Sequence, residues 1–417
     1  MRKTTTHSIL LAIMSLWTGI SASAYDFRSE DGLCYNILSE EDRTVEVTHK
    51  YRSNLTEQID YVSGDLNIPP KVIHNSKTYT VTSIGNEAFL CCIRLTSITL
   101  PNYLTSIGYK AFKNCSVTSI TLSNSLTKID GEAFYGCSGL TSLTLPNSLT
   151  SIDEYAFSGC SGLTSLTLPN SLTSIGKGAF SGCSGLTNIN VEVGNTVYSS
   201  ADGVLYNKDA TELIRCPQGK SSVLKLPETL ISIAKGAFWG CSRLTSLTLL
   251  NSLTEIGEEA FSRCSGLTSL TLPNSLTSIG EYAFAGCSAL EKIINLRRDP
   301  IECDPKFPGN VQINAVLYIP LGTMAEYGKV DPWRNFWIIK EMDPSGIEEN
   351  ETADDADFRI SVERGILTID GMSSSAVVSI HDMQGRCIYS GNGRCFDNLT
   401  PGIYMLRVGN KTVKFVI

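Results

Sequence analysis

The sequence predicts an α/β solenoid, a right-handed coil of repeats of about 23 residues with short parallel strands, followed by a small antiparallel β-sandwich. Three observations predict it. An Ala-Phe pair recurs eight times at a nearly constant step; a cysteine follows each phenylalanine by three; and leucine alternates with serine or threonine before each pair. The phenylalanines are Phe89, Phe112, Phe134, Phe157, Phe180, Phe238, Phe261 and Phe284, and the cysteines are Cys92, Cys115, Cys137, Cys160, Cys183, Cys241, Cys264 and Cys287.

The first half of each repeat has the pattern of a strand. Leu166 and Leu168 are two residues apart, so they face the same side and point inward, whereas Ser165 and Thr167 point outward. Pro169 ends the strand because proline cannot donate a hydrogen bond to a neighbour. One repeat cannot bury its apolar side chains alone, and we therefore expect repeats to stack at about 4.8 Å.

The second half of each repeat has the pattern of a short helical turn. Ile175, Ala179 and Cys183 are spaced by four residues, which places them on one face of a helix with Phe180 beside them. We expect these side chains to form the second wall of the core.

The complete repeat, L-x-x-L-x-L-P-x-x-L-x-x-I-G-x-x-A-F-x-x-C, resembles the BspA-like leucine-rich repeats of bacterial surface proteins. The resemblance covers about residues 26–340. Within it, residues 32–36, 45–48 and 79–85 are similar to that family's N-terminal strands, and residues 317–320 with Trp333 and Phe336 are similar to its closing segment. It implies a leucine-rich-repeat fold, exposure at the cell surface and adhesion to host or partner-cell macromolecules.

The flanking segments complete the predicted organisation. The chain starts with Arg2 and Lys3, a short apolar run and an Ala-Ser-Ala cleavage site, as in a signal peptide, and no later apolar run is long enough to span a membrane. The step from Phe180 to Phe238 is much longer than one repeat, and the pattern of the additional residues predicts a hairpin. The predicted segments are a signal peptide (1–24), an N-terminal β cap (25–82), the leucine-rich-repeat solenoid (83–293) with the hairpin inserted at about 192–226, a C-terminal cap (294–340), an acidic linker (341–357) and the β-sandwich (358–417).

Residues 358–417 alternate apolar and polar positions, with turn pairs at 392–393 and 401–402, which predicts the sandwich. Residues 382–386, 399–404 and 414–417 resemble the C-terminal sorting domains of type IX secretion, which implies that this segment sorts or anchors the protein. A generic cell-surface sandwich module is the alternative.

Charge excludes two classes of partner. The net charge is −8, and residues 341–357 alone contain eight carboxylates and no lysine or arginine, so the remaining chain is close to neutral. Such a chain lacks the basic groove of a nucleic-acid-binding protein and the polybasic patch of a membrane-surface protein.

The eight cysteines that follow the phenylalanines, here called the cysteine column, share one register. We expect them to be buried, reduced thiols that act as small apolar filler. Stacked coils hold their Cβ atoms about 4.8 Å apart, a disulfide needs about 3.8 Å, and a line of thiols does not converge on a metal ion. Cys387 with Cys395, or Cys34 with a neighbour, are better disulfide candidates.

The sequence has no pattern of a catalytic site. After the signal peptide the histidines are His49, His74 and His381, far apart, and no nucleophile elbow, HExxH motif or phosphate-binding loop is present. Asp202, with Asn207 and Asp209 nearby, does not match the spacing of a calcium loop. We expect no catalytic, cofactor-binding or metal-binding residues and no enzyme activity.

Ligand binding is expected on the outward strand positions, which form serine and threonine columns, and on two aromatic residues that follow Ala-Phe pairs. Hydroxyl-bearing strands suit protein or glycan ligands, although serine and threonine are also simply soluble strand formers. Trp239 follows the insertion, so packing under the hairpin is an alternative to a binding role. The candidate ligand-binding residues are Ser142, Thr144, Ser165, Thr167, Ser246, Thr248, Ser269, Thr271, Tyr135 and Trp239.

Together these patterns predict a secreted or cell-surface, monomeric repeat protein that binds extracellular macromolecules without nucleic-acid binding or a transmembrane segment. An adhesin-like role with an extracellular protein or matrix component as partner is favoured, because the repeats have few aromatic residues of the kind that form glycan platforms. The alternative is a surface protein that captures carbohydrate for nutrient uptake.

Overall fold

The computed structural model describes residues 25–30, 32–49, 62–220, 224–303, 309–342, 359–363, 366–370, 377–382, 386–400, 402–408 and 411–417. The predicted signal peptide and residues 343–357 of the predicted acidic linker lie outside the described residues. The chain divides into two compact units: the first contains Met1–Ser138, Ser148–Phe157 and Ile175–Ala179, and the second contains Gly139–Asn147, Ser158–Ser174 and Phe180–Ile417.

The first unit begins with antiparallel strands and continues with parallel ones. One sheet has the order β1-β2-β3-β6-β8-β10-β11, with β5 also paired to β6, and a second has the order β4-β7-β9. Pairing is antiparallel from β1 to β3 and between β5 and β6, and it is parallel along β3-β6-β8-β10-β11. The strands are β1 (Phe27–Arg28), β2 (Cys34–Ser39), β3 (Thr44–Thr48), β4 (Gly64–Asn67), β5 (Lys71–His74), β6 (Lys77–Ile84), β7 (Leu95–Thr99), β8 (Ser106–Ile107), β9 (Ser119–Thr121), β10 (Lys128–Ile129) and β11 (Ser151–Ile152).

The next strands are β12 (Ser165–Leu168), β13 (Ser174–Ile175), β14 (Asn188–Val191), β15 (Tyr198–Ala201), β16 (Val204–Asn207), β17 (Glu212–Arg215), β18 (Ser232–Ile233), β19 (Ser246–Thr248), β20 (Glu255–Ile256), β21 (Ser269–Leu272), β22 (Ser278–Ile279), β23 (Lys292–Asn295), β24 (Val316–Pro320) and β25 (Ile338–Met342). Short helices α1 (Gly309–Asn314), α2 (Met324–Tyr327) and a 3₁₀ helix (Trp333–Asn335) lie near the end. The second unit contains the sheets β12-β14, β15-β16-β17-β18-β20-β22 and β19-β21-β23-β24-β25.

Residues 359–417, here called the tail, form two antiparallel sheets around a core that includes Leu367, Ile380 and Leu406, all buried. Their orders are β26-β27-β30 and β29-β28-β31-β32. The strands are β26 (Arg359–Glu363), β27 (Ile366–Asp370), β28 (Val378–Asp382), β29 (Cys387–Gly391), β30 (Cys395–Phe396), β31 (Ile403–Val408) and β32 (Lys411–Val416). The antiparallel C-terminal segment predicted from the alternating pattern is confirmed.

Stacked coils pair residue for residue at the repeat spacing. In the second unit, Leu247 pairs with Leu270, and Leu270 pairs with Ile293. The phenylalanine rings stack in the same way, because each coil places its ring over the previous one. Centroids lie 5.2–5.3 Å apart from Phe89 to Phe157, and 4.7 and 5.4 Å apart from Phe238 to Phe284. The predicted solenoid of short parallel strands is therefore confirmed.

The predicted helical turn in each coil is wrong. Over residues 81–298, apart from 221–223, which are not described, the segment between the isoleucine and the cysteine forms hydrogen-bonded turns instead of helix. An α-helix needs each N–H to reach the carbonyl four residues earlier. Here the N–H of Phe261 donates to the carbonyl of Ala283 in the next coil, at 2.7 Å. The turn therefore joins the inter-coil hydrogen-bond ladder, which a helix would not.

Two left-handed residues in each turn make this possible, because they rotate the backbone N–H and C=O groups toward the neighbouring coils. In the turn of Phe261 they are Glu259, with φ of 54°, and Arg263, with φ of 60°. Glycine adopts this conformation without strain, and it fills the second position in most repeats. The first positions are Glu87, Lys110, Glu132, Tyr155, Gly178, Gly236, Glu259 and Tyr282, and the second are Cys91, Asn114, Gly136, Gly159, Gly182, Gly240, Arg263 and Gly286.

The insertion enters the solenoid instead of standing outside it. β15, β16 and β17 pair antiparallel, with Asp202 and Gly203, both at positive φ, turning the chain between β15 and β16. β17 then pairs in parallel with β18, so that Leu213 lies opposite Ile233. The last strand of the insertion thus takes the place of a coil strand.

Candidate binding surface

The eight candidate hydroxyl residues lie in the second unit on the side of the coils that faces away from the core. They alternate with buried leucines, such as Leu166 between Ser165 and Thr167 in β12, and Leu247 between Ser246 and Thr248 in β19. Ser142 and Thr144 differ from the prediction, because residues 140–146 form no strand. The neighbouring strands of the repeat pattern, β9 and β12, pair with β7 and β14 instead.

These hydroxyls are accessible. Six of the eight side chains are exposed, and Ser269 and Thr271 are half-buried. None of the eight hydroxyl groups makes a hydrogen bond to another group within the part of the chain that the structure describes. Their donors and acceptors are therefore available to a ligand, which would replace water as their hydrogen-bond partner.

The insertion separates the hydroxyls into two sets. The first hydroxyl block is Ser142, Thr144, Ser165 and Thr167, and the second hydroxyl block is Ser246, Thr248, Ser269 and Thr271. In the second block, Ser246 lies opposite Ser269 and Thr248 opposite Thr271 in one parallel sheet. In the first, β12 pairs with β14, whose edge contacts the inserted hairpin. The serine and threonine positions thus form two short patches, not one uniform surface.

Equivalent positions in the first unit were missed. Ser97 and Thr99 in β7, and Ser119 and Thr121 in β9, occupy the same place in the repeat. The repeat period alone is sufficient to locate them. Ser97 differs from the others because its Oγ donates to Asp65 Oδ1 at 2.6 Å.

A second set of threonines stabilises the array. The Oγ1 of each donates to the backbone carbonyl of the equivalent residue one coil earlier: Thr127 to Thr105 at 3.0 Å, Thr150 to Thr127 at 3.0 Å, and Thr277 to Thr254 at 2.9 Å. These hydroxyls are satisfied by the fold itself. Surface threonine content alone therefore overstates the number of hydroxyls that a ligand can use.

The two candidate aromatic residues lie on the turns and have different surroundings. Tyr135 is 36% exposed, and the Nζ of Lys113 lies 4.4 Å from its ring centroid. Trp239 is half-buried under the Arg263 guanidinium, 5.3 Å from the ring centroid, and its carbonyl accepts a hydrogen bond from Gln218, which follows β17. Tyr135 is accessible to a ligand, whereas Trp239 packs against its own chain.

In several coils a side chain donates a hydrogen bond to a backbone carbonyl of the previous coil, and different residues do so where the repeat is interrupted. Within the repeats the donor is a serine: Ser275 Oγ donates to the carbonyl of Leu253 at 2.6 Å. After the coil that ends at the insertion, Asn195 Nδ2 donates to the carbonyls of Pro169 and Leu172, both at 2.9 Å. After the last coil, Arg297 Nη1 donates to the carbonyl of Leu276 at 2.8 Å.

The cysteine column is buried and each thiol has a specific position. The Sγ of Cys264 donates to the carbonyl of Phe238 in the preceding coil at 3.1 Å, and Cys287 does the same to Phe261 at 3.1 Å. Burial raises the pKa of the Cys92 and Cys183 thiols to about 12. The thiols thus fill space and also donate to a turn carbonyl, which an alanine would not.

The proposed disulfides of the other cysteines are not present. All fourteen cysteines, each in a described part of the chain, are reduced. Cys387 and Cys395 lie on strands of different sheets, β29 and β30, and both are exposed. Cys34 is buried in β2, where its backbone pairs with Thr48.

Thiol labelling tests this distribution. In the native protein at pH 8 we expect a chromogenic disulfide reagent to react quickly with Cys387 and Cys395 and slowly with half-buried Cys91 and Cys303. The ten buried thiols need unfolding, because reaction requires exposure and the thiolate form, and burial disfavours both. Raising the pH to 9 should add few reactive groups, since the buried thiols stay inaccessible in the folded protein and burial raises the pKa of Cys92 and Cys183 to about 12. Immediate native reaction of the whole column would contradict this assignment.

Histidine, cysteine and carboxylate side chains are scattered over the described residues. No group of three histidine, cysteine, aspartate or glutamate side chains there is arranged to hold a metal ion. Asp202 belongs to the turn between β15 and β16 and forms an ion pair with Lys220 at 3.0 Å. No helix formed by the described residues has the length and apolar character needed to cross a membrane.

The stacked coils, their inward leucines and the outward hydroxyl positions define a leucine-rich-repeat protein. The model of the BspA-type leucine-rich repeat region matches residues 81–209 and 217–298, in six copies. The matched residues make up about half of the chain, and the chain belongs to the BspA-type leucine-rich repeat family.

Solved structures show the same fold. The pneumococcal vaccine antigen PcpA is 23% identical with a TM-score of 0.54, and the likeness covers 74% of this chain and 96% of that one. A leucine-rich repeat protein from Eubacterium ventriosum is also 23% identical with a TM-score of 0.55, covering 69% of this chain and 77% of the other. No curated protein sequence matches the chain.

Proposed function

We propose that this surface repeat protein acts as an adhesin that binds an extracellular protein through its two hydroxyl blocks. The observation that carries the proposal is the set of eight outward hydroxyls that make no hydrogen bond within the described chain. Serine and threonine of a packed coil usually satisfy their own backbone, as the second set of threonines does here. Hydroxyls left to solvent at equal spacing give a ligand repeated, equivalent contacts.

The repeated hydroxyl pairs favour multivalent binding, in which each single contact with the ligand is weak. The second hydroxyl block repeats the same pair of side chains on two strands in register, so a ligand with repeated chain segments gains by binding several at once. All eight positions of the hydroxyl blocks are uncharged, and Lys292 is the strand partner of Ser269. We infer that affinity changes little with salt, since electrostatic steering needs a strong field of one sign. The binding form is a monomer in this proposal.

Carbohydrate capture is the second candidate function. Among the described residues four tyrosines are exposed, a larger number than the few aromatic positions of the repeat pattern led us to expect. Their exposed fractions are 57% for Tyr103, 40% for Tyr109, 36% for Tyr135 and 40% for Tyr282. Exposed rings with a hydroxyl tip are common in surfaces that bind amphipathic ligands. The tyrosines and the hydroxyl blocks are different residues, so variants of each set distinguish the two functions.

The adhesin proposal predicts a loss of binding on substitution of the second hydroxyl block. The full-length Thr248→Arg/Thr271→Arg variant should bind a panel of immobilised extracellular matrix proteins at least roughly tenfold more weakly, because two bulky side chains cover the block. Ser278→Arg is the control: Ser278 is exposed, as Thr248 is, but lies in β22 of the other sheet. If the unsubstituted protein, the double variant and the Ser278→Arg control bind equally well, the second hydroxyl block is not the binding surface. Loss of glycan-array binding in Tyr135→Ala alone would favour carbohydrate.

Export and sorting belong to the same proposal. We infer that residues 1–24 direct export and that the tail sorts or anchors the chain, as its resemblance to type IX sorting domains implies. The support is the charged start, apolar run and cleavage pattern of the sequence, together with the family's bacterial surface proteins. Fractionation of cells that produce the full chain is the test, and recovery of the protein in the cytoplasm would contradict it.

A further inference from the structure

A cleft of about 190 Å³ lies on the outer face of the tail sheet β29-β28-β31, against the C-terminal cap. Three side chains with metal-binding atoms line it: His381, Cys387 and Met405. Arg407 and Trp337 line the same cleft. None of its lining residues is an aspartate or a glutamate.

Strand pairing brings the three side chains together. His381 in β28 lies directly opposite Cys387 on one side and Met405 on the other. Directly paired residues of antiparallel strands have side chains about 4.5–5.5 Å apart at Cβ, close enough to share one ion. The pairing with Cys387 depends on a β-bulge: the register shifts between Ile380 and His381, and without the shift Ile388 would be the partner. Bulges of this kind re-aim side chains next to functional sites.

We propose that His381, Cys387 and Met405 form a binding site for a soft monovalent metal ion, Cu(I). An imidazole nitrogen, a thiolate and a thioether are the ligand types that select Cu(I), whereas protein sites for Mg²⁺ and Ca²⁺ are built on carboxylates, and no aspartate or glutamate lines this cleft. The proposal does not depend on the adhesin function.

The surroundings fit a bound Cu(I) ion. On binding, the Cys387 thiol releases its proton to solvent, and the thiolate neutralises the charge of the ion without a change in oxidation state. Ser379 Oγ, 3.0 Å from His381 Nε2, orients the ring, as hydrogen bonds to the other ring nitrogen orient metal-binding histidines. The Trp337 ring, 6.5 Å from that of His381, adds an aromatic face for the cation.

No sequence motif contains this site. His381 and Cys387 are close in the chain, Met405 follows much later, and no metal motif has this spacing. The ligands converge only because β28 is the central strand between β29 and β31. A search restricted to histidine, cysteine and carboxylate ligands also misses it, since it requires methionine.

The experiment is a competition for Cu(I) under anaerobic conditions, with the full-length protein and the chelator bicinchoninate. We expect one Cu(I) per chain to be withdrawn from the chelator, and Met405→Leu and His381→Asn to weaken binding roughly tenfold or more. Cys395→Ser is the matched control, because Cys395 is the other exposed thiol of the tail. It should leave the affinity unchanged, and the circular dichroism of each variant establishes that it folds.

Two results would overturn the proposal. One is an unchanged affinity in Met405→Leu and His381→Asn, or a loss in Cys395→Ser as large as theirs, since cysteines in general would then hold the ion. The other comes from X-ray absorption of the one-to-one complex of the unsubstituted protein. We expect one nitrogen and two sulfur ligands, and a spectrum with sulfur ligands alone excludes His381.

Discussion

Replacement of Asn195 by alanine is expected to lower the free energy of unfolding by about 3–4 kcal/mol, because it leaves several buried polar groups without a partner. Asn195 is 1% exposed. Its Nδ2 donates to the carbonyls of Pro169 and Leu172, and its Oδ1 accepts from the backbone N–H groups of Val197, at 2.9 Å, and Tyr198, at 2.8 Å. One side chain thus joins the last coil before the insertion to the first strand of the hairpin.

Urea-induced unfolding, followed by circular dichroism and by tryptophan fluorescence, measures this effect. Asn190→Ala is the control, because Asn190 is exposed in the neighbouring strand β14, and its change should stay within about 0.5 kcal/mol. The Asn195→Asp variant keeps the accepting oxygen but places a carboxylate next to the carbonyls of Pro169 and Leu172. It should therefore also lower the free energy of unfolding at neutral pH. A loss for Asn195→Ala no larger than that of the control would show that the insertion docks without this residue.

Phe261→Ala should cost about 3–5 kcal/mol of stability through the cavity that it leaves. The Phe261 ring is fully buried between two others, 4.7 Å from the Phe238 centroid and 5.4 Å from the Phe284 centroid. The backbone N–H groups of Phe238 and Phe261 donate to Ala260 and Ala283 in the next coils, so the turns stay in place and the stack cannot close the gap. Truncation of a ring in the middle of a stack therefore removes contacts on two sides.

The graded variant Phe261→Leu distinguishes a cavity from a loss of the turn. Leucine fills much of the volume, and we expect it to cost about 1–1.5 kcal/mol. Repeat arrays can unfold in parts, so the two spectroscopic signals must give the same midpoint before a free energy is assigned. An equal, large loss for alanine and leucine would mean that the ring itself, not its volume, holds the turn.

The repeat pattern was sufficient to predict the stacked coils, the inward leucines and the buried thiols, because burial and strand alternation act on every copy alike. The pattern did not predict the conformation of the turn between the isoleucine and the cysteine of each coil. Spacing by four residues, as from Ile175 to Cys183, is common to helices and to compact turns, and only the left-handed residues distinguish the two. Six of the eight first left-handed positions are not glycine, which concealed them in the sequence.

The candidate site was predictable by position but not by environment. The outward direction of Ser165 and Thr167 follows from strand alternation alone. The surroundings of a side chain depend on the residues of the neighbouring coils. Thr277 donates to the carbonyl of Thr254, and Trp239 lies against Arg263. The convergence of His381, Cys387 and Met405 depends on one bulge, which has no local sequence pattern.

The inter-coil ladder has a consequence for the evolution of the gene. Each turn offers the same donor and acceptor to the next: Phe238 N–H bonds to the Ala260 carbonyl, and Phe261 N–H to that of Ala283. Excision of one complete coil would therefore put an identical acceptor in the vacated place, and duplication would do the same. Unequal recombination between nearly identical repeats can lengthen or shorten the protein in whole coils, each time yielding a chain that folds. Selection can then change the number of hydroxyl pairs by the gain or loss of whole coils, without any amino-acid substitution.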